Sequence, residues 1–219
     1  VRNFPGVFTT PIELAEILED SEGMLVVCGT EGSSPIGRKV MAMRYDPATD
    51  KVLWYKRFNG DRPIAMGILE KSPGSNFILL NNIQLISGPT TSNRVEYWEI
   101  DRSSGSAVEN LNYNTLTSLS LSSMVLHNGN IYGVGNYIPV NNSERRSLLI
   151  KISPDNGLPE WALETEPDTL NLLAKVFSNS DITFDGDYPV IAGNGQLTLS
   201  AGNMTSFVYL EKHAADGSL

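Results

Sequence analysis

The chain has 219 residues and a formal net charge of −9; 41 % of its residues are hydrophobic and 19 % charged, against roughly 25 % charged in an average domain. That is enough apolar material for a core and excludes general disorder, while no apolar run approaches the ~18 residues of a membrane span. The negative charge, with no Lys/Arg cluster, argues against nucleic acid and anionic membranes, and two histidines with one cysteine leave little for transition-metal or nucleophile constellations.

The N-terminal stretch VRNFPGVFTT has no basic region followed by an apolar one, so no signal peptide is read there. Val1–Phe8 looks instead like Lys56–Gly60, the tail of a strand. Ile12–Leu18 reads as a strand despite partial helical spacing, because its later counterparts lean to strand. The turn Asp20–Gly23 introduces the apolar run Met24–Cys28, in which Cys28 has no partner for a disulfide and reads as a buried strand residue. A loop (Gly29–Arg38), a strand (Lys39–Tyr45), a turn (Asp46–Asp50) and a further strand (Val52–Tyr55) follow.

The same order then returns. The second unit runs Ile64–Leu69, turn Pro73–Asn76, Phe77–Leu80, loop Gln84–Asn93, Arg94–Ile100 and turn Asp101–Gly105. The third runs Ser120–Leu126, turn His127–Asn130, Ile131–Val134, loop Asn136–Arg146, Ser147–Ile152, turn Ser153–Gly157 and Pro159–Ala162. The fourth runs Leu172–Phe177, turn Phe184–Asp187, Tyr188–Ala192, Ser206–Glu211 and turn Ala214–Gly217. The introduced runs begin at Met24, Phe77, Ile131 and Tyr188, steps of 53, 54 and 57 residues. Asp, Asn, Pro and Gly recur at the turns because they cap the backbone or accept positive φ.

Four short strands per unit predict an all-β fold: a β-propeller of four four-stranded antiparallel blades, over residues 11–61, 62–116, 117–167 and 168–219. A β-sandwich of unrelated hairpins is the competing architecture, but it leaves the in-phase turn chemistry unexplained. The last unit reaches Leu219 before its fourth strand. Two closures stay open: residues 1–8 complete the last blade and remove an exposed edge, or, the favoured reading, the chain is part of a larger ring.

Tyr45–Trp54 (YDPATDKVLW) and Ile152–Trp161 (ISPDNGLPEW) resemble the blade signature of the pyrroloquinoline-quinone-like, tryptophan-docked propeller repeats. Asp46 and Asp155 stand for the Asp that opens the turn, Asp50 and Gly157 for the Gly position, and Trp54 and Trp161 for the Trp four residues on. The resemblance implies that these tryptophans lie flat between adjacent blades, a packing role; it implies the fold and not quinone binding. Glu109 stands where the second unit should have its Trp. Ser153–Gly157 also looks like the start of a sialidase Asp-box turn, but Trp161 is one residue too far, and Arg145-Arg146 is too little for a sialidase arginine cluster.

Among candidate site residues, His127 reads as a turn residue and His213 as an exposed one near the C-terminus. Arg38, Lys39 and Arg44 read as a solvated strand edge, and of the adjacent Tyr97 and Trp98 at most one can be a surface anchor. No metal or other cofactor is expected; calcium at Asp181, Asp185 and Asp187 is the lesser alternative. Binding is expected on the loops, at Ser34, Ile36, Thr90, Thr91, Tyr137, Ile138, Arg145 and Arg146. Asn141 and Asn203 fit the N-glycosylation pattern and point to an extracellular, periplasmic or cell-surface address. The expected function is a non-catalytic interaction or structural module that presents loops to a protein or glycan partner, alone or as a subunit of a larger assembly. The alternative is a fragment of a propeller enzyme, either a quinoprotein-like oxidoreductase or a glycoside-processing domain.

Overall fold

The computed structural model describes residues 10–33, 37–60, 62–87, 90–112, 118–138, 146–164, 175–198 and 204–214. Among them every regular element is a strand. The chain divides into two compact units, Val1–Asn114 and Thr115–Leu219.

The first unit holds β1 (Ile12–Glu19), β2 (Leu25–Glu31), β3 (Lys39–Asp46) and β4 (Lys51–Phe58) in one antiparallel sheet. A second holds β5 (Ile64–Glu70), β6 (Phe77–Ser87), β7 (Thr90–Ile100) and β8 (Ala107–Asn112). In the second unit, β9 (Ser118–His127), β10 (Asn130–Ile138), β11 (Arg146–Ile152) and β12 (Pro159–Glu164) form a third sheet. β13 (Lys175–Asp185), β14 (Tyr188–Thr198) and β15 (Met204–Lys212) form a fourth, three-stranded one. The strands follow one another in sheet order, as expected for repeated meanders, and the proposed closing segment 1–8 lies outside the described residues.

Within each unit the two sheets pack through a first strand: β5 lies along β1 and β2, and β13 along β9 and β10. In the first unit Val26, Cys28, Val40, Ala42, Trp54 and Phe58 meet Ala65, Ile68, Phe77, Leu79 and Ile100. Phe77 and Leu79 alternate with Ile78 and Leu80, and all four are fully buried, so β6 is covered on both faces. A strand so placed must read as a continuous apolar run, which is why FILL is unbroken. In the second unit Tyr132, Val134 and Leu149 pack on Ile182 and Ile191.

β5 also directs backbone amides at the first sheet: Ala65 N donates to Thr30 Oγ1 at 2.9 Å and Ile68 N to Glu16 Oε2 at 2.9 Å. These side chains satisfy donors that the edge strand would otherwise leave buried and unpaired.

Each sheet bends at the same place. One residue of its first strand is left unpaired, Ala15, Met66, Ser122 and Ser180 in turn, opposite Cys28/Gly29, Leu80/Asn81, Val134/Gly135 and Ala192/Gly193. Such a bulge adds local twist. At the third it brings backbone so close that a Cβ on Gly135 would lie 2.1 Å from the Ser120 carbonyl oxygen, which only glycine permits. Serine recurs at the bulged position, as Ser122 and Ser180, and glycine at the facing one, as Gly29, Gly135 and Gly193, with Asn81 in the remaining sheet.

The predicted loop Gln84–Asn93 is corrected by the structure. The β6–β7 ladder continues to Ser87 opposite Thr90, because Leu85, Ile86, Thr90 and Thr91 suit extended backbone.

Candidate functional site

The β2–β3 connection borders an open cleft of about 230 Å³, lined by Thr10, Glu31, Gly32, Gly37, Lys39 and Arg57. Glu31 ends β2 and pairs with Lys39, the first residue of β3, while Arg57 reaches across from β4. The Glu31 carboxylate accepts from Arg57 Nη2 at 2.8 Å, from Arg57 Nε, from Thr10 Oγ1 at 2.6 Å and from Tyr55 Oη at 2.9 Å. The Arg57 fork, opposed by burial and helped by Thr10 and Tyr55, holds its pKa down at about 2. Burial and the Glu31 charge push the Tyr55 hydroxyl up. Glu31 is therefore ionised and its acceptor sites are occupied. Arg57 Nη1 takes no part in these bonds and its side chain, 37 % exposed, lines the cleft; Lys39 is exposed and forms no ion pair among the described residues. Next to Gly32, Arg38 Nε is buried with no hydrogen-bond partner among the described residues.

A second charged cluster joins the two sheets of the first unit. Arg44 shares its strand face with Val40 and Ala42 and so points at the neighbouring sheet. It is buried, not on a solvated edge, which corrects the sequence expectation. Arg44 donates to Asp20 Oδ2 at 2.8 Å and to Glu22 Oε2 at 2.5 Å. Arg102, in the β7–β8 turn, reaches Asp20 at 3.2 Å, Glu22 at 3.2 Å and Glu70. Burial pushes the Asp20 carboxyl up, but the Arg44 guanidinium and the amides of Glu22 and Met24 outweigh it and leave the pKa below the ordinary value. Every charge in this cluster is spent on another, so its role is to hold the sheets together.

Trp54 works beside it. The indole Nε1 donates to the Arg102 carbonyl at 2.8 Å, and the ring lies 6.2 Å from Phe77. A Cβ on Gly105 (φ 69°) would meet the Trp54 ring at 2.6 Å. Glycine at that turn thus meets both the backbone demand and the space demand. Because Trp54 follows the β3–β4 turn and touches the β7–β8 turn, those turns share one end of the unit. The β2–β3 and β6–β7 hairpin ends share the other.

The remaining predicted residues are distributed as follows. Asp46 caps its turn through the amides of Ala48 and Thr49, and Asp50 (φ 57°), Gly105 and Gly157 (φ 65°) take the same left-handed position. In the third unit Ser153, not Asp155, opens the turn: Gly157 N donates to the Ser153 carbonyl at 2.8 Å, as Gly105 N does to that of Asp101. Trp161 packs edge-on to Tyr132 at 6.1 Å. Tyr137, Ile138 and Arg146 are strand ends and not loop residues, since β10 and β11 pair as far as Tyr137 opposite Arg146. The Tyr137 hydroxyl and Arg146 Nη1 (2.7 Å) both bind Glu164. Thr90 and Thr91 begin β7. Ser34, Ile36, Arg145, Asn141 and Asn203 lie outside the described residues.

Asp181, Asp185 and Asp187 bind Ser123, Lys212 and Asn128 respectively, and no group of three His, Cys, Asp or Glu side chains that could hold a metal occurs among the described residues. His127 stacks on Phe184 at 3.8 Å. His213 is 2 % exposed, contrary to expectation, because it continues the inward alternation of Tyr209 and Glu211 and donates its amide to the Pro189 carbonyl. Cys28 is buried, and burial pushes its thiol up, which disfavours the thiolate. Sequence reasoning missed Thr10, Glu31 and Arg57. Their only signal is charge at strand ends flanking a Gly-rich loop.

No protein-family model and no curated protein matches the chain. Solved structures do. A crystal structure of an ACO/RPE65 chimera is similar with a TM-score of 0.50 at 12 % identity, covering 94 % of this chain and 52 % of that one. A tail fiber of Staphylococcus aureus phage P68 is similar with a TM-score of 0.32 at 10 % identity, covering 93 % and 51 %. The chain thus spans about half the length of both, and at such identities the first likeness concerns the fold alone.

Proposed function

We propose that the chain is a non-catalytic interaction or structural module of β-propeller type, four blades of a ring, whose hairpin ends meet a protein or glycan partner. Support for the blades comes from four meanders bulged at one common place, from a central strand covered on both faces, and from Trp54 seated on the Gly105 turn. The last of these also fits the resemblance to tryptophan-docked repeats. An extracytoplasmic address belongs to the same reading and rests on the two glycosylation triplets.

The observation that carries the binding assignment is the distribution of unspent polar chemistry. The Asp20–Arg44–Arg102 cluster is closed on itself, whereas the cleft at the β2–β3 hairpin end keeps two cations facing outward. Capture of partners from a glycan array and from cell-surface extracts tests the reading. Binding is expected to fall with Lys39→Ala and Tyr137→Ala at hairpin ends and to survive Asp46→Ala and Asp155→Ala at the opposite turns. Visible absorbance from a bound quinone, or a rise in melting temperature on adding calcium, would instead support the propeller-enzyme alternative.

A further inference from the structure

We infer that the β2–β3 cleft binds a single carboxylate, held by the free side of the Arg57 guanidinium and by the Lys39 ammonium. The inference rests on the binding-module reading above and deepens it. Three ionised side chains line the cleft: Glu31, Lys39 and Arg57. Their sum is one positive charge, on a chain whose net charge is −9. One monoanion neutralises it; a dianion would leave excess negative charge against the buried Glu31.

The hydrogen-bonding inventory points the same way. Thr10, Tyr55 and two Arg57 nitrogens already donate to Glu31, so that carboxylate has no capacity to accept from a ligand. What the charged side chains still offer is donors: the outer hydrogens of the Arg57 guanidinium and the three hydrogens of Lys39. A carboxylate, which accepts and carries the opposite charge, is the group these cationic donors match best. Glu31 also fixes the guanidinium plane through both Nε and Nη2, and Arg57 lies over the Tyr55 ring at 5.2 Å. The fork is thereby pre-organised, so little side-chain entropy is lost when a second carboxylate docks on its other edge. A cleft of about 230 Å³ admits one sugar ring or one acidic side chain, so a uronic-acid glycan and an acidic peptide both present the group.

The test is a nuclear magnetic resonance titration of the full chain, followed at the amides of Gly32, Gly37 and Lys39 and at Arg57 Nε. The probes are methyl β-D-glucuronide, N-acetylglutamate amide, neutral methyl β-D-glucoside and inorganic phosphate. Saturable shifts are expected from the two carboxylates and none from the glucoside; the tighter carboxylate identifies the source as glycan or peptide. Lys39→Gln, at an exposed position, should weaken carboxylate binding about tenfold through loss of one charge-assisted hydrogen bond. Arg57→Lys, which keeps the charge and loses the fork, should weaken it too. Absence of saturable shifts, unchanged affinity in Lys39→Gln, equal response to the glucoside, or tighter binding of phosphate overturns the inference. Partner capture that survives such a result leaves the module reading standing, and shifts that persist without partner capture sink that reading alone.

Discussion

Replacing Gly105 with alanine tests whether Trp54 is seated on the neighbouring sheet's turn. Two costs add at this position. The backbone is left-handed at φ 69°, which costs an alanine about 1–2 kcal/mol. The new methyl would also lie 2.6 Å from Cδ2 and Cε3 of Trp54 and 3.0 Å from Lys56 Cγ, an overpacking cost of about 1–3 kcal/mol. Gly105→Ala should therefore destabilise the chain by about 2–5 kcal/mol. Gly74, in the same unit, supplies the control: its φ is 78° but nothing lies within 4 Å of its would-be Cβ. Gly74→Ala should cost only the backbone share, about 1–2 kcal/mol. In a Trp54→Ala background the ring clash vanishes and only the flexible Lys56 side chain must give way, so the cost of Gly105→Ala should fall towards the Gly74 value. Urea unfolding followed by circular dichroism gives all four corners of the Gly105–Trp54 cycle. Equal costs at Gly105 and Gly74, or a coupling energy below about 0.5 kcal/mol, would refute the seating.

Other consequences follow from the charges and the core. Arg44→Met leaves Asp20, whose side chain is fully buried, facing only Arg102, and should cost about 3–5 kcal/mol in urea unfolding, recovered in part when Asp20 is also made Asn. Glu31 ionises below its unfolded value of 4.5, at about 2, so it contributes stability that is present above that value and lost as pH falls towards about 2. Asp20, also lowered, adds to the same acid loss, whereas Glu16, raised by burial, contributes in the opposite sense, losing stability as pH rises through its range. The urea midpoint should therefore drop on acidification, and Glu31→Gln should flatten that drop. Leu210 on β15 is 74 % exposed, so Leu210→Lys should change stability by no more than about 0.5 kcal/mol, whereas Leu149→Ala in the second unit's core should cost about 2–5 kcal/mol.

The amino-acid order by itself determined the repeat, the strands and the turns, because these are local matters. An apolar run as short as Phe77–Leu80, bounded by turn residues, suits a strand covered on both faces, and Asp46, Asp101 and Gly157 mark reversals through capping or positive φ. Strand ends were less legible. Tyr137 and Thr91 read as loop residues because ladder pairing, not composition, decides how far a hairpin zips.

What only the tertiary structure decided is how polar groups meet across sheets. Arg44 and His213 look like surface residues in a linear reading, yet period-two alternation turns each inward, where Asp20 from the preceding hairpin receives Arg44 and the His213 ring meets Glu211. Glu31, Arg57 and Thr10 converge only because β2 and β4 flank β3. The bulge repeated in every sheet is likewise a property of backbone pairing; the glycines facing it at 29, 135 and 193 allow the close approach but do not by themselves say which residue is left unpaired. Burial demands a partner for each such group but does not say which, and the choice is made by geometry in three dimensions.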